Sequence, residues 1–72
     1  MNSPQTPAAN TPDVLLKLPE VCHQIGLGKS VLYEMINAGT FPPPIKLGGA
    51  SRWSQHEVQD WITQQKAARW AA

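Results

Sequence analysis

The 72-residue chain predicts an α+β fold of three short helices, with a β-hairpin between the second and the third. Three observations carry that expectation. The stretch from Gly26 to Arg52, GLGKSVLYEMINAGTFPPPIKLGGASR, reads as a tight turn, a helix of nine or ten residues, a proline-locked corner and a glycine-tipped hairpin. A short helical pattern precedes it, and a capped helix follows it. Two short helices joined by a Gly-containing turn are the outline of a helix-turn-helix, whose second helix enters the DNA major groove. The hairpin behind it takes the place of a wing, so the expected architecture is a small winged helix-turn-helix.

Each element has its own local reason. Residues 1–13 (MNSPQTPAANTPD) hold three prolines, small polar residues and no large apolar residue beyond Met1. They are read as a disordered tail, because they bury too little surface to offset chain entropy. The domain is placed at residues 14–70. Val14 to Leu18 is a short apolar run suited to an edge strand beside the hairpin. Pro19 suits the first helical position, where its missing N–H is not needed, and Glu20 favours the positive end of the helix dipole. Val21, Cys22 and Ile25 share one face, and Gly26 supplies a left-handed cap after about seven residues.

Leu27 is expected to plug the core from the turn, with Gly28 or Ser30 capping helix two. Leu32, Met35 and Ile36 have the i, i+3, i+4 spacing of a buried stripe, with Val31 at its margin. Ala38-Gly39 ends the helix, and Thr40-Phe41-Pro42-Pro43-Pro44 is excluded from helix by its prolines. Ile45-Lys46-Leu47 and Ser51-Arg52-Trp53 flank Gly48-Gly49-Ala50, a hairpin signal in which Ile45 and Leu47 lie on one face and Lys46 on the other. Ser54-Gln55-His56-Glu57 is an S-x-x-E capping box that starts helix three at Gln55. Its expected buried stripe is Val58, Trp61, Ile62 and Gln65.

Size and composition exclude most other classes. A chain this short buries only about 60% of its unfolded surface, which leaves room for one small core and no deep substrate cavity. Val14, Leu15, Leu16, Leu18, Val21, Ile25, Leu27, Leu32, Met35, Ile36, Ile45, Leu47, Trp53, Val58, Trp61 and Ile62 are its candidate members. Cys22 is the sole cysteine, so no internal disulfide forms, and a reducing cytoplasm is the expected compartment. The start of the chain lacks the charged and apolar runs of a signal peptide, and no apolar stretch approaches the ~20 residues that cross a bilayer.

Net charge is only +1, low for a nucleic-acid partner. It is unevenly spread. From Leu15 to Trp53, Lys17, Lys29, Lys46 and Arg52 stand against Glu20 and Glu34, a surplus of two, whereas Glu57 and Asp60 cancel Lys66 and Arg69 in helix three.

No catalytic or metal site, and no cofactor, is expected. Adjacent helical residues point about 100° apart, which keeps Cys22 and His23 from sharing an ion, and no Asp or Asn is placed to orient an imidazole. His56 lies within the capping box, and neither a Walker loop nor a dinucleotide fingerprint is present. Trp53, Trp61 and Phe41 are read as core rather than as a base-stacking platform, while Trp70 follows the stripe and serves either self-association or a cover for the core's end.

LLKLPEVCHQIGLGKSVLYEMINAGTFPPPIKLGG followed by RWSQHEVQDWI resembles the AlpA family of small phage and prophage regulators, relatives of the MerR-like winged-helix excisionases. The resemblance spans about Leu15 to Ile62, with no gap in the helix-turn-helix. It rests on the combination of L-x-x-P-E-V, G-L-x-x-S-x-L-Y, G-x-F-P-x-P and the R-W before helix three. It implies sequence-specific binding to double-stranded DNA, as a transcriptional regulator or as an excisionase that directs an integrase. It further implies that Lys29–Ala38 enters the major groove and that Ile45–Trp53 contacts the backbone or the adjacent minor groove. Two positions depart from the pattern. Many relatives carry a basic residue where Glu34 stands, and an arginine in the turn where Gly49-Ala50 stands.

The candidate DNA-contacting residues are Lys29, Ser30, Tyr33, Glu34 and Asn37 on helix two, and Lys46, Gly48, Gly49 and Arg52 on the hairpin. Lys29 and Ser30 sit where a helix N-terminus meets phosphate or base edges. Tyr33 suits a phosphate or a thymine methyl, or else partial core packing; Asn37 suits an adenine or the turn; Glu34 suits a cytosine amino group, rejection of wrong sites, or a surface ion pair. Lys46 and Arg52 suit phosphates, which the two glycines let the backbone approach. One module of this size covers only about 600–1,000 Å² of interface. Useful affinity then calls for several copies on repeats, or for help from an integrase or RNA polymerase. The competing expectation is a protein-interaction adaptor that keeps the fold and binds DNA weakly or not at all.

Overall fold

Trp53 organises the molecule, because the strand that carries it pairs on both sides. The computed structural model describes residues 12–70. In chain order these form β1 (Leu15–Leu16), α1 (Leu18–Ile25), α2 (Lys29–Ala38), β2 (Ile45–Leu47), β3 (Ala50–Ser54) and α3 (Gln55–Ala68). The strands make one antiparallel sheet in the order β1-β3-β2. Leu15 pairs with Ser54 and Leu16 with Trp53, while Ile45, Lys46 and Leu47 pair with Arg52, Ser51 and Ala50. This is the small winged α+β arrangement that the sequence predicts.

Six elements each supply one buried apolar residue. Leu16 comes from β1, Val21 from α1, Leu32 from α2, Phe41 from the proline corner, Trp53 from β3 and Val58 from α3. Leu18, Cys22, Ile25, Met35, Ile36, Trp61 and Ile62 pack around them. The Trp53 indole satisfies its only donor by giving it to the Pro42 carbonyl at 3.1 Å, which ties the proline corner to the sheet. Gln24 joins α1 to α3 through hydrogen bonds with Gln55 and Gln59.

Several expected core residues are instead at the surface. Opposed residues in an antiparallel pair share a face, and the face alternates along each strand. Trp53 must point inward, so Ser51 and its partner Lys46 take that same face, and Ile45 and Leu47 are driven outward. They are 42% and 50% exposed, and Leu15, beside them on the outer face, is 46% exposed. Val14 is exposed as well. Leu27, expected as a plug, is held on the surface between the Gly26 cap and Gly28. Gln65 is exposed because α3 has passed the rest of the domain: every described residue beyond Ile62 lies open.

The helix ends follow local chemistry, with two adjustments. Helix α1 starts at Leu18, so Pro19 occupies the second position rather than the first; the Lys17 N–H donates to Glu20 Oε1 at 2.7 Å. Gly26, at φ 73°, donates its N–H to the Cys22 carbonyl and stops the helix. The hairpin turn has two residues, not three, since Ala50 is already paired with Leu47. Gly48 takes φ 62° while Gly49 stays at negative φ, as in a type II′ turn that demands glycine at its first central position.

Most of the segment read as a tail, residues 1–11, lies outside the described residues. Its last residue, Asp13, is bound to α3. Asp13 Oδ1 accepts from the N–H groups of His56 and Val14, and Oδ2 accepts from the Ser54 hydroxyl. Ser54 Oγ in turn accepts from the Glu57 N–H at 3.2 Å, as the capping box predicts.

Candidate nucleic-acid interface

Helix α2 buries a narrow stripe and leaves the rest of its surface open. Leu32 is fully buried, and Met35 and Ile36 are half-buried beside it. Lys29, Ser30, Tyr33, Glu34 and Asn37 are all exposed on the remaining surface. Lys29, Tyr33 and Asn37 follow one another at i, i+4 and i+8, with Ser30 and Glu34 alongside, so they form one continuous polar strip. Among the described residues no cation pairs with Glu34.

The N-terminus of α2 is chemically open. Its N-cap is Gly28 at φ −81° and ψ 173°, with no side-chain hydrogen bond to the first turn and no acidic residue in that turn. The leading N–H groups of a helix have no intrahelical acceptor, and they carry about half a positive charge. Lys29 adds a full charge at the same end. Backbone donors and an ammonium group thus point out of one helix start, the arrangement that takes up phosphate or carboxylate.

Tyr33 links this helix to the hairpin. Its ring stands edge-on to Trp53, with centroids 6.4 Å apart and planes at 66°. The packing and the contact readings of Tyr33 are therefore compatible, because the ring rests on Trp53 while the residue remains 36% exposed. Register places Ser51 and Lys46 on the Trp53 face of the sheet, the side toward α2. Lys46 Nζ donates to Ser51 Oγ at 2.6 Å, which holds the ammonium group on that side. Arg52 lies on the other face, between Ile45 and the β1 edge, and its Nη1 donates to the Ser51 carbonyl at 2.9 Å. The two basic residues of the hairpin are thus separated by the sheet, and only Lys46 converges with the α2 strip. Gly48 and Gly49 form the exposed tip, with open space where a side chain would be.

Residues weighed for other chemistry fall apart in space or into the core. Phe41 and Trp53 are buried, and Trp61 packs edge-on to Phe41 with its indole N–H donated to the Thr40 carbonyl at 2.8 Å. Cys22 is half-buried, His23 is exposed, and the His56 backbone is held by Asp13. Among the described residues, no three His, Cys, Asp or Glu side chains come together as a metal site. Among them also, no helix is long and apolar enough to cross a membrane. Sequence reasoning missed Ser51 as the partner of Lys46 and Asp13 as a cap; strand alternation counted outward from Trp53 signals the first, and an acidic residue next to an edge strand gives only a faint signal of the second.

Two comparisons with known proteins find relatives of this chain. Residues 14–66 match the model of a family described as prophage CP4-57 regulatory protein (AlpA). The chain is also 40% identical to "Uncharacterized protein ORF88" of Enterobacteria phage P4, in an alignment covering 93% of this chain and 82% of the relative. No solved structure matches.

Proposed function

We propose that this chain, which belongs to the AlpA family of prophage regulatory proteins, works by binding duplex DNA sequence-specifically through α2 and its hairpin. The observation that carries the reading is the open N-terminus of α2, which leads into an exposed polar strip with Lys46 on the same side. Helix α2 lies in the major groove, with Lys29 and Ser30 at a phosphate or a guanine edge and Asn37 and Glu34 toward adenine and cytosine edges. Lys46 and the glycine tip rest on the flanking backbone, and Arg52 reaches a phosphate around the edge of the wing. The role is that of a transcriptional regulator, an excisionase, or both. No step is catalytic. The molecule positions itself on DNA and changes what an integrase or an RNA polymerase does there.

Fluorescence anisotropy with fragments of the gene's own upstream region and nearby attachment site, at two salt concentrations, tests this. Saturable, salt-sensitive binding to one fragment, with much weaker binding to scrambled DNA, is the expected result. Lys46→Ala should lower affinity for every sequence alike and reduce the salt slope by about one unit. Loss confined to the specific site would overturn its backbone role.

A second reading rests on a different surface. Leu15, Ile45 and Leu47 expose aliphatic side chains on the outer face of the sheet, around Arg52, and the surplus of positive charge is small. A protein-interaction adaptor would use such a face. Flat anisotropy titrations at low salt select this reading over the first.

A further inference from the structure

Helix α3 carries the same pattern twice with the charge reversed. Glu57, Asp60 and Trp61 stand at i, i+3 and i+4; Lys66, Arg69 and Trp70 repeat that spacing nine residues later. Nine residues are about two and a half turns, so the two sets lie on opposite faces of the helix, ~13.5 Å apart along its axis. The backbone remains helix-like to the second set, with the Arg69 N–H donating to the Gln65 carbonyl and the Trp70 N–H to the Ala67 carbonyl.

The two sets differ in shape as well as in charge. The acidic set lines an open groove of about 410 Å³ between α3 and the proline corner, floored by Phe41, Pro42, Pro43 and Trp61. The Trp61 indole is fixed there by its hydrogen bond to Thr40 and its edge-on contact with Phe41 at 5.0 Å. Among the described residues neither Glu57 nor Asp60 has a cation partner. The basic set is a projection. Trp70 is 79% exposed, and the Arg69 guanidinium lies over its ring at 5.2 Å.

We propose that the groove of one copy receives the Trp70 end of another. The Trp70 indole seats on Phe41, Pro42 and Trp61, and the cations at 66 and 69 meet the carboxylates at 57 and 60. Charge complementarity chooses this occupant. An anionic nucleic acid is repelled by the two carboxylates, whereas the missing cations and an uncovered aromatic both stand on the same chain. A copy cannot fill its own groove, because the two sets share one rigid helix on opposite faces. For the same reason a closed two-fold pair of α3 helices cannot satisfy both sets. The contact is heterologous and passes from copy to copy, as an open row wherever its rotation does not close a ring, which suits modules that follow one another along repeats. A contact well below 1,200 Å² is weak and transient, so the row assembles only where copies are already gathered. That consequence on DNA rests on the DNA-binding reading above; the contact itself does not.

The test therefore uses the protein without DNA. In ¹⁵N NMR spectra of the full chain, diluted by roughly a hundredfold from its solubility limit, the Trp61 and Trp70 indole signals and the Asp60 amide should move together. Trp70→Ala should remove the movement while circular dichroism stays unchanged. Asp60→Lys and Arg69→Glu should each remove it alone. An equimolar mixture of the two should restore it, since the ammonium group introduced in the groove of one variant then faces the carboxylate introduced beside Trp70 in the other. Concentration-independent spectra, shifts that survive Trp70→Ala, shifts centred instead on Ile45 and Leu47, or a mixture that fails to restore the movement would each overturn the proposal. Self-association without any DNA binding would leave this contact standing and remove the DNA reading alone.

Discussion

Helices α2 and α3 begin from nearly the same backbone and end up chemically opposite. Their N-cap residues are both extended, Gly28 at φ −81°, ψ 173° and Ser54 at φ −72°, ψ 129°. At α3 the first turn is crowded with acceptors. Ser54 Oγ takes the Glu57 N–H, Asp13 takes the His56 N–H, the Val14 carbonyl takes the Gln55 N–H, and Glu57 adds a carboxylate. At α2 there is no side-chain acceptor and no acid, and Lys29 follows directly. The fold satisfies one helix start internally and leaves the other without a side-chain acceptor. An uncapped start costs stability in the free protein, and an anion that supplies the missing acceptors recovers it.

Reversing the difference at α2 should have the largest effect. Gly28→Asp fits the site, because φ is negative and nothing lies within 4 Å of the added carbon. The new carboxylate caps α2, adding a few tenths of a kcal/mol to stability. It also occupies the place of a phosphate, so DNA affinity should fall about tenfold, ~1.4 kcal/mol. A urea melt and an anisotropy titration on the same preparation read both changes. Unchanged affinity would mean that the open start of α2 is not where DNA binds.

The converse change at α3 should touch stability alone. Ser54→Ala removes the acceptor of the Glu57 N–H and should cost about 1 kcal/mol, with roughly 2 as an upper bound. Affinity per folded molecule should stay constant, since the Ser54 hydroxyl is engaged by Asp13 and the Glu57 N–H and touches none of the residues assigned to DNA. A parallel loss of DNA affinity would place the α3 start within the interface and erase the contrast between the two helices.

What was legible beforehand divides along the same line. Every element was readable, because each rests on short-range chemistry: Gly26 as a left-handed stop, the i, i+3, i+4 stripe at Leu32, the S-x-x-E start at Gln55. Which apolar residues are buried was less legible. Ile45 and Leu47 have the composition of an inner face, and their placement depends on the register with β3, which Trp53 fixes from outside the strand that carries them. The same dependence put Lys46 and Arg52 on opposite faces, although their positions beside one hairpin tip suggested joint action. The strip on α2 needed no such long-range information, and all five of its residues are exposed as the helical period requires. The Asp13 cap was the least legible feature, since it joins residues more than forty positions apart.

Asp13 also provides the finest adjustment of the comparison, through pH. Its carboxyl is held below the ordinary value of 3.8, chiefly by the Ser54 hydroxyl and then by the His56 N–H, with the nearby His56 ring adding to the effect. The folded pKa is thus lower than the unfolded one. The stability that Asp13 contributes is then fully present above 3.8 and drains away as pH falls through the folded value. Asp13→Asn keeps one acceptor oxygen and no charge, so at neutral pH it should be slightly less stable than the parent. The two urea midpoints should converge as pH is lowered past 3.8. Midpoints that run parallel into acid would show that Asp13 holds α3 by hydrogen-bond geometry alone. The α3 start would then be sealed without charge, and the contrast with α2 would lie in acceptor count rather than in electrostatics.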